Sequence, residues 1–89
     1  MPTYIIERNY VDQLEISPEV AARLRPLNDA AGVRWLYSFL SLDKRRTYCL
    51  YEAVSADAIR RAAVLAGLPA DVIVEVTGRI SPEGVLSPI

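Results

Sequence analysis

Histidine is absent from these 89 residues. That removes every Ser-His-Asp or Cys-His relay and the imidazole metal ligand. A single cysteine, Cys49, cannot close an internal disulfide, which fits a reducing, cytoplasmic compartment. Free cysteine is usually buried, so Cys49 reads as a small core filler rather than a reactive thiol. The one lysine, Lys44, falls in a predicted turn, a poor place to desolvate a Schiff-base amine. Glycines at 32, 67, 78 and 84 match neither the dinucleotide fingerprint nor a P-loop. Ten basic and eleven acidic residues leave a net charge of −1, so no polycationic footprint for nucleic acid exists. The charges of Asp43–Lys44–Arg45–Arg46 read as a solvated loop rather than a phosphate site. No apolar run reaches a membrane span, and no basic-then-apolar signal opens the chain.

What remains is apolar. Hydrophobic residues make up 52% of the chain, which excludes disorder. The length allows one domain. A folded chain of this size exposes roughly 5,200 Å², and its hydrophobic gain roughly balances its ordering entropy. Such a chain is marginal alone, and a self-associating surface would stabilise it.

Residues 3–10 (TYIIERNY) are β-branched and aromatic and predict a strand. Ser17–Pro18–Glu19 is a helix start, with Ser17 as N-cap and Pro18 at the first helical position. Val20, Leu24, Leu27 and Ala31 form one helical stripe, and Pro26 within it predicts a kink or break. Gly32 ends that helix. Residues 33–41 and 46–53 are strands joined by the polar Leu42–Arg45 turn. Val33, Trp35, Tyr37 and Phe39 share one parity of the first of these strands. Leu36 and Leu40 make its other face partly apolar, as in a strand covered on both sides. Ser55 caps a second helix, which Gly67 and Pro69 end; Ile59, Ala62, Ala63 and Ala66 are its inner face. Residues 72–77 (VIVEVT) are the fourth strand.

The order βαββαβ predicts an α+β, ferredoxin-like domain over residues 1–78, with a C-terminal tail over 79–89. Two helices should cover one face of a four-stranded antiparallel sheet. The crossovers place strands one and three side by side, read here as a parallel central pair. The helix-free face would expose a large apolar patch, and a second copy is its simplest cover. Val85, Leu86 and Ile89 of the tail would extend that contact.

The segments PTYIIER, GVRWLYSFLSLDKRRTYCLYEA and SADAIRRAAVLAGLPADVIVEV resemble a family of small bacterial proteins of unknown function, some of them described as nickel-binding. The resemblance covers most of residues 2–76. It implies a ferredoxin-like fold that dimerises as an α+β barrel. It also implies a link to nickel, although this chain carries no histidine to serve as a ligand.

The candidate ligand-binding residues are Glu7, Trp35, Tyr37, Arg46, Tyr48, Tyr51 and Glu75. The aromatic group (Trp35, Tyr37, Phe39, Tyr48, Tyr51) lies on the predicted hairpin, where it serves as core, dimer interface or pocket wall. Buried tyrosine hydroxyls need partners, which marks Tyr48 and Tyr51 as polar points in an apolar cavity. Arg46 begins a strand from which it could enter a cavity. Glu7 and Glu75 sit mid-strand among apolar neighbours on adjacent strands. On a shared face they would need an arginine, a proton or a metal between them. No metal ligand set and no cofactor is predicted. The reading is a small homodimer that binds a metal ion or a small organic molecule, with no nucleic acid and no membrane partner. Two alternatives are a cofactor-independent enzyme (isomerase, cyclase or oxygenase type) with a carboxylate base, and a purely structural dimer.

Overall fold

In the computed structural model, which describes all 89 residues, the first strand β1 spans Thr3–Asn9. Helix α1 follows over Pro18–Ala30, then β2 over Val33–Leu40, β3 over Arg46–Ala53, α2 over Ala56–Ala66 and β4 over Val72–Val76. The four strands make one sheet in the order β2-β3-β1-β4, and every neighbouring pair is antiparallel. This is the ferredoxin-like arrangement. The central β1–β3 pair corrects the parallel expectation. The crossover through α1 makes β1 and β2 the parallel pair, and β3, returning by a hairpin from β2, slots between them running the other way.

Local chemistry sets the helix ends. Ser17 Oγ accepts the Val20 backbone N–H at 3.3 Å, and Ser55 Oγ accepts that of Ala58 at 3.2 Å, each satisfying an orphan donor of the first turn. Gly67 closes α2 in the left-handed conformation at φ 68°, where a Cβ would be strained. The break expected at Pro26 does not occur, and α1 continues to Ala30. Pro26 forfeits one hydrogen bond, and the turns on either side carry the helix past it.

Alternation sorts the strands into two faces. Tyr4, Ile6, Thr47, Cys49, Tyr51 and Ala53 are buried beneath the helices. There they meet Ala58, Ile59 and Ala62 of α2, whose small side chains let the helix approach the sheet closely. The stripe of α1 is only half-buried, and no residue of this helix is fully buried. The other face of the sheet carries no helix. Ile5, Tyr37, Phe39, Tyr48, Val72 and Val74 are exposed there, so β2 is uncovered on that side.

Residues beyond β4 form a small hairpin, β5 (Gly78–Ile80) with β6 (Leu86–Pro88), separate from the main sheet. No helix is long and apolar enough to cross a membrane.

Candidate functional site

A cavity of about 310 Å³ lies between the sheet and α1. Its floor is the helix-side parity of β1 and β3, and Val20 and Leu24 of α1 form its roof. One side is bordered by the segment after β1, where half-buried Leu14 and the more exposed Ile16 line it. That segment is held in place by the β2–β3 turn. The Tyr10 N–H donates to the Arg45 carbonyl at 2.8 Å, and the Leu14 N–H to the Lys44 carbonyl at 2.7 Å. The turn is braced internally, with Asp43 Oδ1 accepting from both the Ser41 hydroxyl and the Arg45 N–H. Those two bonds hold the Asp43 carboxyl below its usual range.

Arg8 is the only charged side chain on the cavity wall. It is 3% exposed and makes no ion pair with any carboxylate. One terminal nitrogen donates to the Pro69 carbonyl, and the guanidinium carbon stands 5.6 Å from the centre of the Tyr51 ring. A cation over an aromatic face recovers about 0.5–2 kcal/mol, only part of what burying a charge costs. The guanidinium has five N–H donors in all, and no sealed side-chain nitrogen or oxygen lacks a partner. Arg8 is also one of the residues that line the cavity.

Around Arg8 stands a short polar chain. Tyr10 and Thr47 share a hydroxyl–hydroxyl bond of 3.2 Å, and Cys49 Sγ donates to Thr47 Oγ1 at 3.5 Å. Trp35 Nε1 donates to Ser38 Oγ at 2.9 Å on the adjoining wall. Burial pushes the Tyr10 and Tyr51 phenols up, with Arg8 pulling both back. Both remain neutral hydroxyls at neutral pH.

Of the residues singled out from sequence, Trp35 and Tyr51 line this cavity, while Glu7, Tyr37, Arg46, Tyr48 and Glu75 do not. The split of the aromatics has a local cause. Trp35 pairs with Tyr51 and Tyr37 with its neighbour Leu50, so Leu36 is an extra residue in a β-bulge. A bulge shifts the alternation by one residue. Trp35 therefore faces the helices, whereas Tyr37 and Phe39 face the open side, packed edge-to-face at 5.6 Å between centroids. Glu7 pairs with Val72 and Glu75 with Tyr4, positions of opposite parity, so the two carboxylates lie on opposite faces of the sheet. No shared-proton or shared-metal arrangement of that pair exists. Arg46 lies at the open-face end of β3, where Tyr48 first and then Glu7 reinforce its charge.

Arg8, Tyr10 and Thr47 are the site residues that sequence reasoning passed over. A signal was present. Tyr4, Ile6, Arg8 and Tyr10 share one parity of the first strand, and an arginine on an apolar parity is a buried charge awaiting a partner. A second cleft, of about 650 Å³, lies between the end of α1 and the start of β2. Its charged groups Arg25, Asp29 and Arg34 are exposed, so it lacks a buried polar focus.

The nickel link can be tested against the donor set. No three side chains among His, Cys, Asp and Glu converge anywhere in the chain. Cys49 is buried beside a cation, which opposes binding of a further positive ion. Within the single chain, the residues present assemble no nickel centre.

No curated protein matches the chain. The crystal structure of SCO4226 from Streptomyces coelicolor A3(2) superposes with a TM-score of 0.63 at 23% identity, covering 83% of this chain and 94% of that one. That likeness supports the fold. Residues 4–76 match the family described as nickel responsive protein SCO4226-like, and the chain belongs to that SCO4226-like family.

Proposed function

We propose that this protein is a homodimeric binding protein that takes a small organic molecule in the cavity beneath α1. The carrying observation is a cavity of about 310 Å³ with mostly apolar walls and one buried cation, Arg8. Its size is at the small end of ligand pockets, roughly 300 to 1,000 Å³. An apolar cavity with one buried cation favours a binding protein over a purely structural dimer. Neither Glu7 nor Glu75 borders it, so the cavity contains no carboxylate base for the enzymatic alternative. Of the two ligand classes expected from sequence, the donor set favours the organic molecule over the metal ion.

Dimerisation through the open sheet face is supported by surface area. The protomer exposes 6192 Å² where about 5,200 Å² is usual for its mass, an excess on the order of 1,000 Å². A standard interface buries about 800 Å² per partner. The exposed band of Ile5, Tyr37, Phe39 and Val74 has charge at its rims, with Arg34 and Glu52 at one end. An apolar centre with a polar rim is how protein interfaces are built. Membership of a nickel-responsive family connects the protein to nickel physiology without making it a nickel carrier. A reducing, cytoplasmic setting suits the free Cys49 thiol.

Thermal-shift measurements with small organic molecules, and with nickel chloride in parallel, test the reading. Stabilisation by an organic compound, lost when Leu24→Phe fills the roof of the cavity, is the expected result. Stabilisation by nickel alone would overturn it.

A further inference from the structure

We propose that the cavity selects a monocarboxylate with an apolar body, whose carboxylate meets the guanidinium of Arg8. The proposal rests on the ligand-binding reading above and specifies its chemistry.

Three features of the site carry it. Arg8 is 3% exposed, lines the cavity, and has no acidic partner. Asp71 is exposed to solvent, accepts the Asn9 backbone N–H at 2.7 Å, and forms no ion pair with Arg8. A buried charge of this kind is costly until a counter-charge arrives. A single cation on the wall calls for a single negative charge, which favours a monoanion over a phosphate ester. The planar fork of the guanidinium matches the two oxygens of a carboxylate. Tyr51 already holds one face of the guanidinium, and the Pro69 carbonyl takes one donor, leaving others for an incoming anion.

The body of the ligand is set by the rest of the wall. Val20, Leu24 and Trp35 supply apolar contact, and the cavity has room for a short chain or a single ring. No acid lines the cavity to repel the carboxylate. The roof helix has no fully buried residue, so entry beneath α1 disturbs little packing.

Trp35 is the only tryptophan in the chain and stands in the wall, so its emission reports the site directly. Untagged protein at neutral pH would be titrated with linear carboxylates from hexanoate to decanoate, and with alcohols and ammonium compounds of equal chain length. A charge-assisted hydrogen bond in a buried site predicts at least about tenfold tighter binding of the carboxylate than of the alcohol, with the ammonium compound weakest. Arg8→Met should abolish the carboxylate preference and leave alcohol binding in place, while Arg8→Lys should retain part of the preference. If Arg8→Met fails to fold, the carboxylate-to-alcohol ratio of the unmodified protein decides alone. Alcohols binding as tightly as carboxylates, or a preference that survives Arg8→Met, would overturn the anion proposal while leaving the ligand-binding reading standing. Absence of binding by every compound in the series would overturn both.

Discussion

The Arg8 guanidinium stands 5.6 Å from the centre of the Tyr51 ring, with no carboxylate completing the pair. The contact crosses from β1 to β3 on the helix side of the sheet, where Tyr4 and Tyr51 are register partners and Arg8 lies further along β1. It places a permanent charge on the wall of a mostly apolar cavity. Most of the chemistry this fold offers derives from that placement.

The same neighbourhood predicts an alkaline weakness. Burial raises the Tyr51 and Tyr10 phenols above their ordinary value near 10. As pH rises past about 10, the unfolded chain loses phenolic protons that the folded chain still holds. The stabilisation is complete below that pH and is lost as pH climbs through the folded values. Urea midpoints measured across pH 9 to 11.5 should fall, and Tyr10→Phe or Tyr51→Phe should each flatten the decline. A decline of equal steepness in the double variant would show that other groups cause it.

The compact core predicts where stability resides. Ile59 on α2 and Ile6 on β1 are the largest fully buried side chains. Ile59→Ala should cost about 2–5 kcal/mol, read as a lower midpoint in urea at unchanged slope. Val64→Ala on the exposed side of the same helix should change stability by less than about 0.5 kcal/mol.

A third prediction concerns the open face. Phe39 is 65% exposed and Val74 50% exposed on the helix-free side. Light scattering at micromolar concentration should give twice the protomer mass. Phe39→Glu or Val74→Glu should shift the protein to monomer, because an unpaired charge in an apolar interface costs several kcal/mol. A monomeric wild-type chain would refute the proposed dimer.

Nickel supplies a fourth. This borderline ion prefers nitrogen and sulfur ligands, and the chain offers one buried thiol and scattered carboxylates. Isothermal titration of untagged protein should show no stoichiometric sub-micromolar site. A site that disappeared in Cys49→Ser would mean the thiol opens to the ion, and one that survived would mean an oxygen cage had assembled.

Much of the architecture was legible locally. Ser17 and Ser55 announce helix starts through their hydroxyls, and Gly67 announces a stop through the one conformation it adopts freely. Ile59, Ala62 and Ala63 declare an inner helix face by their spacing, and all three are buried. These features depend on a few consecutive residues, so the order β1-α1-β2-β3-α2-β4 and the helix-on-sheet layering follow from composition and periodicity.

The site was not legible in the same way, because it depends on register and on partners remote in sequence. Strict alternation put Trp35 and Tyr37 on one face, and the Leu36 bulge separates them. Nothing in the run VRWLYSFL marks the bulge, since it arises from how β2 aligns with β3. Glu7 and Glu75 looked like a pair until the β1–β4 register put them on opposite sides of the sheet. The sequence by itself determined that this chain folds as a ferredoxin-like domain without histidine chemistry. Only the tertiary structure decided that Arg8, two residues along from Ile6, would lie unpaired under α1, because strand parity selects a face but the packing of distant elements decides what waits there.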